Sequence, residues 1–85
     1  EDARASILYA EAQFRDGAYL KARRLLEAAV KRIRPKGETD PKPLAVTYEA
    51  LATVARHEGE LTVYRRAVAG QVRTVREHLQ PDEPL

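Results

Sequence analysis

Gly17-Ala18-Tyr19-Leu20-Lys21-Ala22-Arg23-Arg24-Leu25-Leu26-Glu27-Ala28-Ala29-Val30 decides the fold, because the pattern it opens is written a second time in the chain. Ahead of the glycine, Ala5-x-x-x-Tyr9-Ala10-x-Ala12 precedes Gly17 as Thr47-x-x-x-Leu51-Ala52-x-Val54 precedes Gly59. Behind it, Tyr19 aligns with Leu61, Leu26 with Val68 and Val30 with Val72, an offset of 42 residues throughout. Small and apolar residues therefore recur at helical spacing on both sides of each glycine. A period of this size marks stacked helical hairpins, in which no unit buries its apolar face alone and the stack presents an extended surface. Such a surface points to binding rather than catalysis.

An 85-residue chain can build one small domain with a modest core. Cysteine is absent, which removes both a disulfide framework and thiolate metal sites. With 15 Lys+Arg against 13 Asp+Glu, the net charge of +2 is too small to argue for nucleic acid by itself. Arg outnumbers Lys, Ala is abundant, and Asn, Cys, Met and Trp are missing, a bias that fits a GC-rich bacterial coding sequence. The start at Glu1 and the lack of Met suggest a fragment of a longer protein or a processed product. No apolar run is long enough to span a membrane. A cytoplasmic location is the expectation, with an upstream signal sequence left open.

Periodicity and punctuation predict four helices. The first runs over Ala3 to Arg15, with Ala5, Leu8, Tyr9 and Ala12 on one face, and Asp16-Gly17 stops it. The second runs over Tyr19 to Arg34 along an apolar stripe of Ala22, Leu25, Leu26, Ala29, Val30 and Ile33, and Pro35 ends it. Residues 37–42 read as a loop, in which Asp40-Pro41 resembles an N-cap followed by proline at the first helical position. The third runs over Pro43 to Glu58 with Leu44, Tyr48, Leu51, Ala52 and Ala55 in register, and Gly59 ends it. In the fourth, Leu61, Tyr64, Val68, Val72, Val75 and Leu79 form a long regular seam. The chain thus divides into a first unit over 3–36, a loop, a second unit over 43–80, and a segment over 81–85 whose Pro-Asp-Glu-Pro-Leu echoes the start of the third helix, as if a third unit began there.

Gly17-x-Tyr19-x-x-Ala22-x-x-x-Leu26-x-x-Ala29 resembles the second-helix motif of the tetratricopeptide repeat, and Ala10 and Ala12 match that family's small residues. The 42-residue spacing and the Gly37-Glu38-Thr39-Asp40-Pro41 loop are similar to the longer variety found in kinesin light chains and bacterial regulators. The resemblance implies an all-α fold of two antiparallel helix-turn-helix hairpins stacked as a short right-handed solenoid. It also implies that Ala12 and Ala22 sit at the closest helix approach. Matching inward positions are expected to be Leu8, Tyr9, Ala12, Leu26 and Ala29 in the first unit and Leu51, Ala55, Tyr64 and Val68 in the second. The second unit departs from the motif: Tyr64 replaces a small residue, and Gly70-Gln71 replaces an alanine region, with Gly70 costing about 1 kcal/mol relative to Ala in a helix interior.

In this family the first helix of each hairpin lines the concave face. The matching positions here are Arg4, Ile7, Glu11, Phe14 and Arg15, then Val46, Glu49, Thr53, Arg56 and His57. The Lys/Asn clamp with which chaperone-binding members hold a terminal carboxylate is missing, since Ile7, Glu11, Glu49 and Thr53 stand in its place. The asparagines that the light-chain relatives use are missing too. Ile7 and Phe14 offer apolar anchors for an amphipathic helix or an acidic peptide, or they pack on a neighbouring unit. His57 and His78 have no partner at metal-ligand spacing, Ser6 has no base, and the glycines form no phosphate-cradling run, so neither enzyme chemistry nor a cofactor is expected. The expected role is a protein–protein interaction module in a bacterial scaffold or regulator, with a protein or peptide partner and no membrane. Two alternatives stay open. Arg65, Arg66, Arg73 and Arg76 could serve a nucleic-acid-associated regulator, although interspersed acids dilute the strip, and Val72, Val75 and Leu79 could serve self-association into a homo-oligomer.

Overall fold

Both glycines close a helix in the same way. Gly17 and Gly59 each adopt φ of +82°, a left-handed conformation that side chains disfavour. The amide of Gly17 donates to the Phe14 carbonyl (3.0 Å) and that of Ala18 to Gln13 (2.8 Å); 42 residues on, Gly59 donates to Arg56 (3.2 Å) and Glu60 to Ala55 (2.9 Å). These are the paired bonds of a Schellman cap, which satisfies the last carbonyls of one helix while turning the chain into the next. The computed structural model describes residues 3–33 and 42–78, and all of its regular structure there is helical. It comprises α1 (Ala3–Arg15), α2 (Tyr19–Ile33), α3 (Lys42–Glu58) and α4 (Leu61–His78). The 37–41 part of the predicted loop, Arg34, Leu79 and the segment over 81–85 lie outside the described residues.

The two tight turns make two hairpins, α1 on α2 and α3 on α4, and the hairpins join through α2 packed on α3, with a lesser contact of α1 on α3. Ala10, Ala22, Leu26, Val30, Tyr48, Leu51, Ala52, Val54 and Ala67 form the buried cluster. Leu26, Ala29, Leu51 and Ala55 are buried as the periodicity requires, and Tyr64 and Val68 are half-buried. On α1 the expected facing is wrong: Leu8, Tyr9 and Ala12 are exposed, and the inward stripe is Ser6 and Ala10 with Gln13 half-buried beside it. The physical reason is the number of neighbours. A stripe of apolar residues is buried only where another element covers it, and among the described residues α1 packs mainly on α2 with a lesser contact to α3, whereas α3 lies between α2 and α4. Ala22 is fully buried, so the close approach holds for it and not for Ala12.

Gly70 has a structural reason that the motif did not supply. A Cβ built there would lie 2.6 Å from the Tyr48 ring, so the ring of α3 rests directly on the backbone of α4. The hydroxyl of Thr74 donates to the carbonyl of Gly70 at 2.7 Å, and Thr47 donates likewise to Pro43 at 2.6 Å, so both buried hydroxyls bond within their own helices. Between helices, Arg32 of α2 donates to the Ser6 hydroxyl of α1 at 2.6 Å.

Two measurements check this packing. Leu26→Ala should cost about 2–5 kcal/mol, enough to unfold much of so small a protein, while Leu8→Ala should change stability by less than about 0.5 kcal/mol in chemical denaturation. Equal losses at the two leucines would reverse the facing described here. Gly70→Ala, which helix propensity alone would make stabilising by up to about 1 kcal/mol, should instead destabilise by about 1–3 kcal/mol because the added methyl would force the buried Tyr48 ring to shift. Combining it with Tyr48→Leu should recover part of that loss in a double-mutant cycle.

Candidate binding groove

The first helices of the two hairpins, α1 and α3, do not close on each other along their length, and the gap between them is floored by Leu26 of α2. The resulting groove has a volume of about 470 Å³. Its walls are Ile7, Ala10, Glu11, Phe14 and Arg15 on α1, and Val46, Glu49, Ala50, Thr53 and Val54 on α3. The hollow exists because Ala10 and Ala50 stand where larger side chains would fill it. Apolar atoms dominate the interior, and the charged groups are the two carboxylates of Glu11 and Glu49, one on each wall, and the single guanidinium of Arg15. Thr53 turns its hydroxyl back to the Glu49 carbonyl at 3.1 Å.

Of the positions singled out from sequence, Ile7, Glu11, Phe14, Arg15, Val46, Glu49 and Thr53 meet in this groove. Arg4, Arg56 and His57 are exposed and do not line it. His57 has another place: its ring meets the Phe14 ring edge-on, with centroids 5.0 Å apart at 89°, and Tyr19 closes the group at 5.2 Å from Phe14 and 6.3 Å from His57. Such tilted and edge-on pairs add to simple burial. His57 Nδ1 lies 3.0 Å from the Thr53 carbonyl, which can only accept, so this contact is a hydrogen bond when Nδ1 carries a proton. The ends of α1 and α3 and the start of α2 are thereby held together at one end of the groove. Leu26 of the floor and Val54 of the wall were legible as apolar repeat positions but not as groove residues, because their role depends on the gap between two helices rather than on one helix's period.

Beside this aromatic group, Arg23 of α2 donates to Glu58 at the end of α3 at 2.6 Å and to Glu27 at 3.3 Å. The Arg23 and Glu58 side chains are both largely covered. The hydrogen bond to Glu58 raises the Arg23 pKa above its ordinary value, against the opposing effect of desolvation. A raised pKa contributes stability that is present below the unfolded value and lost only above the folded one, so Arg23 itself adds no pH dependence near neutrality. Among the described residues no three His, Asp or Glu side chains converge as a metal site, and no helix is long and apolar enough to cross a membrane.

No family model, curated protein or solved structure matches the chain at a significant level.

The Arg23–Glu58 bond ties the two hairpins together, and Glu58→Gln should lower stability by about 1 kcal/mol, more than an exposed ion pair and less than a fully buried one. Part of this difference should persist in high salt because both side chains are sheltered. A Glu58→Gln variant with unaltered unfolding at low and high salt would show the pair to be incidental.

Proposed function

We propose that this chain is a protein-interaction module of the tetratricopeptide type, whose groove between α1 and α3 receives one turn or more of an amphipathic helix. The observation that carries the reading is the groove itself: an apolar trough between corresponding helices of two hairpins, rimmed by Glu11 and Glu49 on opposite walls. Helix-in-groove recognition needs this arrangement, with apolar anchors at i and i+3 or i+4 entering the trough and charged flanks meeting the rim. Two carboxylates against one guanidinium favour a partner helix with Lys or Arg beside its anchors. The aromatic group of Phe14, Tyr19 and His57 keeps the trough's shape before a ligand arrives, which lowers the ordering cost of binding. The doubled glycine turns and the motif around Tyr19, Ala22, Leu26 and Ala29 support the family assignment.

A displayed library of amphipathic helical peptides, selected on the intact chain, tests this directly. Binders should carry Leu, Ile or Phe at helical spacing with flanking Lys or Arg. Val46→Asp, an exposed position on the rim, should weaken them by about tenfold, equivalent to about 1.4 kcal/mol. Glu49→Lys should weaken the basic ones selectively. Amide shifts on binding should centre on Ile7, Glu11 and Thr53. Selected peptides that bind wild type and Val46→Asp equally would place recognition elsewhere.

A further inference from the structure

We infer that a second copy of this chain docks head-to-tail, the outer face of α4 in one copy covering the outer face of α1 in the next, by repeating the contact that α2 makes with α3 inside each copy. The inference concerns faces outside the groove and goes beyond the reading of it as a peptide site.

The joint within the chain supplies the template. On α3, Thr47, Leu51, Val54 and Glu58 form one stripe at helical spacing; the first three are buried, and Glu58 at its end accepts the bond from Arg23 of α2. On α2, Leu26 and Val30 lie on the same side as Arg23, and both are buried. Moving each residue by the 42-residue period exchanges this joint for two faces that the described residues leave mostly open. The stripe on α3 maps onto Tyr9, Ala12 and Asp16 of the first hairpin, all exposed, with Leu8 beside them. Leu51 is 6% exposed and its counterpart Tyr9 60%. The stripe on α2 maps onto Arg65, Val68 and Val72 of α4, flanked by Val75; Val68 is half-buried against the core and the other three are exposed. Val30 is 8% exposed and its counterpart Val72 46%.

Charge then selects the occupant. The period carries Arg23 onto Arg65 and Glu58 onto Asp16, so the cation and the anion of the internal joint both recur with their signs kept, one on each open face. Both recurrent residues are exposed. A copy of α4 laid on α1 therefore brings apolar face to apolar face and Arg65 to Asp16, as α2 brings Arg23 to Glu58. Because the two faces differ, the contact is heterologous; it leaves one of each open at the ends, and growth continues beyond two copies.

Sedimentation of the full chain over micromolar to millimolar concentrations should show mass rising past that of a dimer. Tyr9→Glu spoils only the α1 face and Val72→Glu only the α4 face, at positions exposed enough to leave folding intact by circular dichroism. Each variant alone should be a monomer, and an equal mixture of the two should stop at a one-to-one dimer, since one good face of each kind remains. Asp16→Arg alone should weaken association by about tenfold, and adding Arg65→Asp should restore it. The groove variant Val46→Asp should assemble as wild type does, which separates this contact from the peptide site. A wild-type monomer at millimolar concentration, a closed dimer, a mixture that fails to pair, or a charge swap without rescue would each overturn the proposal.

Discussion

The contact of α2 with α3 is the constraint on which the rest depends. A two-helix hairpin of this length has one apolar side and nothing to set against it, and helices of 13 to 18 residues are marginal in water without tertiary cover. Leu26 and Val30, buried between the hairpins, contribute about 1.5–3 kcal/mol each, and Arg23 bonded to Glu58 fixes the register at one end. This joint also sets how far α1 stands from α3. The groove is the space left when α2 holds two helices apart that touch only lightly themselves.

The same local sequence pattern meets two environments. α3 has a helix on either side and buries residues on two stripes, one against α2 and one against α4. In α1 the stripe toward α2 is covered and the other is open, although both hairpins close with the same glycine cap. Burial here is a property of position in the stack, and the exposed Leu8 and Tyr9 are as apolar as the residues that occupy the covered sites. The second hairpin also shows how a departure from a repeat motif can be a matched pair. Tyr48 is large where the first hairpin has Ser6, and Gly70 removes the one side chain that its ring would strike.

The groove is lined by a small residue on each wall. Ala10 and Ala50 leave room, Ile7, Phe14 and Val46 give it apolar walls, and Glu11 and Glu49 set its sign. Its end is stiffened by Phe14, Tyr19 and His57, one residue from each of three helices.

By itself the sequence determined the four helices and the two glycine turns that join them in pairs, because 3.6-residue periodicity and the left-handed glycine of a Schellman cap are local properties of the chain; the start of α3 at Lys42, which reads as loop, was not legible. The groove positions on α1 and α3 came from the resemblance to a repeat family rather than from spacing, and of that set Arg4, Arg56 and His57 do not line the groove. Only the tertiary structure decided which of two apolar stripes on α1 is covered. Leu8, Tyr9 and Ala12 have the same spacing as a core stripe, and period alone carries no information about the presence of a neighbouring helix. The same holds for Arg23 with Glu58, 35 residues apart, and for the Tyr48 ring on Gly70: each is a contact between helices whose relative rotation is set by packing, so no reading along one helix could reveal it.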